Sequence, residues 1–220
     1  MAVVAVPATA ANLPVPAANM APIVLPTGDP APGRPGRPRR GTATIGMLLL
    51  VTADAMVLAA MVATYLAIKA GSSDWPPIGV HVSTYPPTMI SITAVMSAFS
   101  VQWAVFAARR QDSRNATFAM VLTLILGVAM ANLEWLSFTR THFGVKAHPY
   151  GTLYYLLIGY HLVHLVIAIV VALVLSFRTV AGHFSTDRHD PLRAGAVLWQ
   201  YGNGVWFVVV TTLFLLSRHG

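Results

Sequence analysis

Along the chain, apolar residues gather into five long runs separated by short polar breaks. The runs cover about 43–69, 87–108, 116–138, 152–177 and 194–217. Each is long enough to cross a hydrocarbon layer, which takes roughly 20 helical residues at about 1.5 Å rise each. The breaks carry turn and charge signals: "SSDWPP" and "YPP" between Ser72 and Pro87, "RRQDSRN" from Arg109, "RTHFGVKAHPY" from Arg140, and a longer polar stretch from Arg178 to Arg193. The pattern predicts an all-α integral membrane bundle of five transmembrane helices over 43–220. An odd span number does not divide into two equal inverted halves.

The first 42 residues follow another rule. Pro7, Pro14, Pro16, Pro22, Pro26, Pro30, Pro32, Pro35 and Pro38 interrupt an Ala/Val-rich stretch. Proline at that density removes helix donors and blocks a continuous helix, so a disordered, cytoplasmic tail is expected. No Lys or Arg precedes Arg34, unlike the start of a secretory signal, and the tail is not Arg-rich as a transit peptide would be.

Composition agrees with the pattern. Of 220 residues, 56% are hydrophobic and 10% charged, against about 25% charged in soluble domains. Cysteine is absent, which excludes disulfides, thiolate metal sites and cysteine nucleophiles. The net charge of +7 is explained by sidedness, because cytoplasmic flanks concentrate Lys and Arg. The tail and the second and fourth breaks hold ten basic residues, among them Arg109 and Arg193, against four on the other side (Lys69, Arg140, Lys146 and Arg218). The N-terminus is therefore expected inside and the C-terminus outside, and no nucleic-acid partner is needed.

Ionisable residues inside the spans are the candidate chemistry, since each is costly in lipid unless paired. Asp54 lies near the middle of the first span, Glu134 toward the outer end of the third, and His161 and His164 in the fourth. Gln200 and Asn203 add amides to the fifth. Three readings stay open: one ion held by Asp54, Glu134, His161 and His164; an end station for protons; or hydrogen-bonded glue between helices. Residues three apart face roughly the same way, so the histidines cannot flank a haem, and no other predicted span has a histidine. Paired Glu-x-x-His motifs of a carboxylate di-metal bundle are missing. Similar depth suggests a buried Asp54–His161 pair. Walker and Rossmann glycine patterns are also missing. Trp75, Trp103, Trp135 and Trp199 lie near span ends, as interfacial anchors do, whereas Trp206 is deeper and expected inside the bundle.

Several fragments in order resemble subunit III of the haem–copper cytochrome c oxidases. "TADAMVLAAMVATYL" is similar to that family's first retained span, with Asp54 in place of a glutamate, and "WPPIG" to its Trp-Pro-Pro-x-Gly loop. "YGTLYYLLIGYHLVHLVIA" resembles Tyr-Gly-Ser-x-Phe…Gly-Phe-His-Gly-Leu-His-Val, which sets His161 and His164 on the family histidines and Leu162 on the glycine between them. "HFSTDRH" resembles a family loop, and "WQYGNGVW" stands where the family has Trp-His-Phe-Val-Asp-Val-Val-Trp, with Gln200 and Asn203 replacing His and Asp. The likeness runs from about Ile45 to Leu216 and fits a divergent, five-helix bacterial form. Glu134 sits near a polar family position and receives no role.

The resemblance implies a non-redox accessory subunit in a bacterial plasma membrane. Haem and copper would reside in partner subunits I and II. This chain would stabilise the catalytic subunit, support proton uptake and bind phospholipid. Asp54, His161 and His164 would form a buried polar cluster, Trp75 and Trp199 would be anchors, and Arg109 and Arg193 would contact lipid phosphates. An accessory subunit of a nitric oxide reductase is the alternative within the superfamily. Outside it stand an independent membrane metal protein and a small carrier.

Overall fold

The computed structural model describes residues 41–180 and 190–216. Residues 1–40 of the Pro-rich tail and the family-like 183–189 stretch lie outside the described residues. The described chain is helical: α1 Thr42–Ala70, α2 Tyr85–Arg109, α3 Ser113–Arg140, α4 Pro149–Val180 and α5 Asp190–Val210, the last running into a π-helical turn at Thr211–Leu215. All five helices are long and apolar enough to cross a membrane. Helix is what lipid demands, because every backbone N–H must find its acceptor within its own segment. Side-chain hydroxyls obey the same demand: Thr52, Thr64, Ser91, Thr123 and Ser176 each donate to the carbonyl four residues back.

Local chemistry sets the helix ends. Pro86 and Pro87 occupy the first turn of α2, where the missing N–H costs no helix bond. Between α2 and α3, Gln111 adopts a left-handed φ of 60° and turns the chain. Asp112 then caps α3 by accepting the Asn115 N–H at 3.1 Å. That hydrogen bond holds the Asp112 carboxyl below the usual carboxylate range, so the cap persists at neutral pH and is lost only as acid protonates it.

Helices α2, α3, α4 and α5 close a four-membered ring, each packing on the next and α5 returning to α2; α1 lies outside the ring against α5 and, more lightly, α4. Small residues set the closest approach. Ala94, Ala104, Ala107 and Ala108 on α2 and Ala116 and Ala119 on α3 are all buried in one core. Apolar burial between helices gains little over contact with lipid tails, so close packing of small residues does this work in a bilayer. By contrast α1 buries only Val51, Leu58 and Tyr65, a single seam at seven-residue spacing, and turns Leu49, Met56 and Val57 outward.

The tryptophans do not all follow the anchor expectation. Trp103 and Trp135 are outward-facing, and Trp206 is inside as its depth suggested. Trp199, expected at the interface, is 3% exposed. It enters the ring because Gly127 on α3 has no side chain: a Cβ there would stand 2.6 Å from the indole. Trp75 is also buried, edge-on to Tyr65 and Tyr150, with its indole N–H on the Tyr65 oxygen at 2.9 Å. Both rings sit near span ends but face protein, because each N–H finds a protein acceptor there.

Gly127→Ala must displace a rigid indole, whereas a Cβ at Gly195 meets the mobile end of Leu175. Thermal unfolding in detergent is expected to show Gly127→Ala costing about 1–3 kcal/mol, with Gly195→Ala the milder of the two.

Candidate functional site

The intramembrane ionisable residues form two separate nodes. In the first, one oxygen of Asp54 on α1 accepts from Tyr160 Oη on α4 at 2.6 Å and from Tyr201 Oη on α5 at 2.7 Å, and lies 2.8 Å from His164 Nε2 on α4. In the second, the carboxylate of Glu134 on α3 meets His161 Nδ1 on α4, with both oxygens at 3.0 Å. Glu134 and His161 are buried completely or nearly so (0% and 2% exposed), and the His161 ring lies 4.8 Å from Trp206 of α5.

Proton positions in the first node follow from its partners. His164 Nδ1 lies 2.8 Å from the Tyr160 carbonyl, which can only accept, so Nδ1 carries a hydrogen. The contact between Nε2 and Asp54 then needs one more proton, shared between ring and carboxyl. Whichever side holds it, the pair has no net charge, the form that lipid tolerates best. The second node likewise sets one imidazole against one carboxyl. Each node joins helices: the first ties α1 to α4 and α5, the second ties α3 to α4.

The expected Asp54–His161 pair does not form. Asp54 bonds His164, and His161 bonds Glu134. Residues three apart on a helix are about 60° apart around its axis, enough to send the two rings to different neighbours. Depth alone could not separate them, since both lie within one turn. Glu134, given no role above, is the most buried acid of the bundle. The signal for it was arithmetic: two acids and two histidines in the spans invite two pairs rather than one cluster. Tyr160 and Tyr201 had no such signal, as tyrosine is common in membrane helices.

Gln200 and Asn203 face another helix. Gln200 Nε2 donates to the Ala98 carbonyl at 3.0 Å, and buried Asn203 donates to Ser97 Oγ at 3.3 Å. Ser97 also accepts the Trp199 N–H at 3.0 Å, Ser91 accepts that of Trp206 at 3.0 Å, and Ser100 bonds Thr123 at 2.8 Å. Together these bonds make a polar ladder along α2 that receives donors from α5 and bonds Thr123 of α3. Arg109 and Arg193 are exposed at helix ends. Among the described residues no three His, Cys, Asp or Glu side chains are grouped as metal ligands, and the four ionisable groups sit in two pairs rather than one set.

Two further ties hold α1. Asp190, at the start of α5, accepts from Ala43 N at 2.9 Å and Thr44 Oγ1 at 2.5 Å, capping α1 from a different helix. At the other end Lys69 Nζ donates to the carbonyl of Leu216.

Double-mutant cycles on thermal stability distinguish the pairings. Glu134→Gln and His161→Ala are expected to couple by about 0.5–2 kcal/mol, as are Asp54→Asn and His164→Ala. The crossed cycles, Asp54 with His161 and Glu134 with His164, are expected to be additive.

Sequence comparison agrees with this architecture. A family model described as cytochrome c oxidase subunit III matches residues 38–218. A cytochrome c oxidase subunit 3 from Thermostichus vulcanus is 21% identical over 175 residues, covering 79% of this chain and 87% of its own. One from Heterololigo bleekeri is 29% identical over 179 residues (77% and 68%), and one from Drosophila yakuba 25% over 178 residues (77% and 67%). With five apolar helices, a match across the whole bundle and relatives of one kind, the chain belongs to the cytochrome c oxidase subunit III family.

Proposed function

We propose that this chain is a non-catalytic brace in its complex. It carries neither haem nor copper, packs on redox-bearing subunits I and II, holds phospholipid, supports proton uptake and resides in a bacterial plasma membrane. Family membership makes it an accessory subunit of a haem–copper oxidase, and its helices make it a multi-pass membrane protein. The finer reading is supported above all by how the histidines are used. Each closes a hydrogen bond to a carboxyl on a neighbouring helix, so each is committed to joining helices. Two imidazoles set on different helix interfaces suit a fastener better than a redox ligand set.

Other features fit the same role. The outward face of α1, with Leu49, Met56 and Val57, offers apolar surface to lipid or to another membrane subunit. Exposed Arg109 and Arg193, near the ends of α2 and α5, suit contact with phospholipid headgroups. The Asp54–His164 node is partly open, at 26% and 14% exposure, and its short contact calls for one proton between ring and carboxyl. It is the natural place in this chain for a proton to be kept near a partner's uptake route. The names of the relatives favour the oxygen-reducing complex over a nitric oxide reductase.

Affinity purification of the full chain from its native membrane in mild detergent tests this. The expected outcome is co-purification of haem-bearing oxidase subunits, with a Soret band that disappears once the chain is stripped from them. A chain that comes down alone with stoichiometric metal or haem would overturn the proposal.

A further inference from the structure

The entry to α4 is capped by a histidine. His148 precedes Pro149, the first helical residue, and its Nδ1 accepts the Gly151 N–H at 2.8 Å. The usual cap residues are Ser, Thr, Asp and Asn, whose oxygens accept at any ordinary pH. An imidazole nitrogen accepts only while it lacks a proton. Because Gly151 N–H can only donate, His148 must leave Nδ1 bare and carry its one hydrogen on Nε2. That Nε2 is buried and meets no hydrogen-bond partner among the described residues. The ring is closely fitted: a Cβ on Gly151 would stand 3.0 Å from the Gly144 carbonyl oxygen and 3.2 Å from the imidazole.

We infer that the His148 cap is a proton-operated switch at the outer end of α4, closed when the ring is neutral and opened when it is protonated. A second ring proton would point at the Gly151 N–H and abolish the cap. It would also set a positive charge at the positive end of a long helix. The groups around the ring do not offset that charge. Tyr150 of α4 is 6.1 Å away between ring centroids, Phe143 is 5.1 Å away, and the loop's own titratable residues are His142 and Lys146. Among the described residues no carboxylate is bonded to His148.

The cap lies at the root of the outer aromatic cluster. Phe143 packs on Tyr154 and Tyr155, its carbonyl accepts the Tyr155 hydroxyl at 2.9 Å, and Trp75 packs on Tyr150. Opening the first turn of α4 loosens the 141–148 loop and the contact of Tyr150 with Trp75 of the α1–α2 loop. The cap exists only while Nδ1 is bare, so its hold on the first turn is lost in whichever fraction of the protein carries a second ring proton.

The test is hydrogen–deuterium exchange of the full chain in its complex, read on peptides covering 149–155 at about pH 8 and about pH 5, either side of where histidine side chains titrate. Rates are normalised for the intrinsic pH dependence of exchange. The wild type is expected to lose protection there by about fivefold in acid, the factor that one cap of ordinary strength represents. His148→Asn, a cap that binds no proton in this range, is expected to stay protected at both pH values, and His148→Ala to be unprotected at both. Equal wild-type protection at the two pH values, or an acid loss that persists in His148→Asn, would overturn the inference.

Discussion

A polar group in hydrocarbon has no water to turn to, and the arrangement of this bundle follows from that one constraint. Backbone groups satisfy it by helix formation, and serine and threonine hydroxyls by bonding back along their own helix. The groups that cannot be served locally must reach another helix, and these decide which helices meet. Glu134 reaches His161, Asp54 reaches His164 and two tyrosines, and the α2 serines receive indole and amide donors from α5. Apolar packing fills the space between these ties, but it does not choose partners, because lipid tails pack on leucine as well as another helix does.

The consequence is clearest for α1. The other four helices form a ring with a shared core of small and aromatic side chains, whereas α1 contributes three buried residues in one seam. Its place depends on polar ties at three heights: Asp190 over its first turn, the Asp54 node in the middle, and Lys69 near its end. A helix mounted in this way keeps most of its surface free for neighbours while staying in register with its own bundle. That suits a subunit whose work is to stand beside a catalytic partner. The replacement of a family histidine and aspartate by Gln200 and Asn203 is absorbed by the same logic. Both amides bond α2, so neither is stranded.

Much of this was legible in the sequence. Five runs gave five helices, with ends differing by a few residues where prolines and caps extend them: Pro86 and Pro87 lie in the first turn of α2, which begins at Tyr85, and Pro149 begins α4 ahead of the apolar run. The ionisable residues of the site were also legible, since so few fall inside the spans. Their pairing was not. Sequence gives depth and approximate face, but His161 and His164 differ by a single turn, and which helix each ring meets depends on the order of helices around the ring. Trp199 shows the same limit: position near a span end suggests an anchor, while the vacancy opposite it comes from Gly127, far away in sequence. Asp190 is a third case, since nothing local reveals that a residue opening α5 caps α1.

The absence of cysteine from the natural chain allows the central claim, that polar ties rather than apolar burial hold α1 to the ring, to be measured directly. Cysteines introduced at the outward positions Met56 on α1 and Val163 on α4 would carry spin labels, and pulsed electron resonance in nanodiscs would report the distance between them. The account predicts a narrow distribution that broadens and lengthens in Asp54→Leu, a change that adds apolar surface while removing the tie, and that stays narrow in Glu134→Gln. A distribution unmoved by Asp54→Leu would show that packing alone positions α1 and would contradict the account.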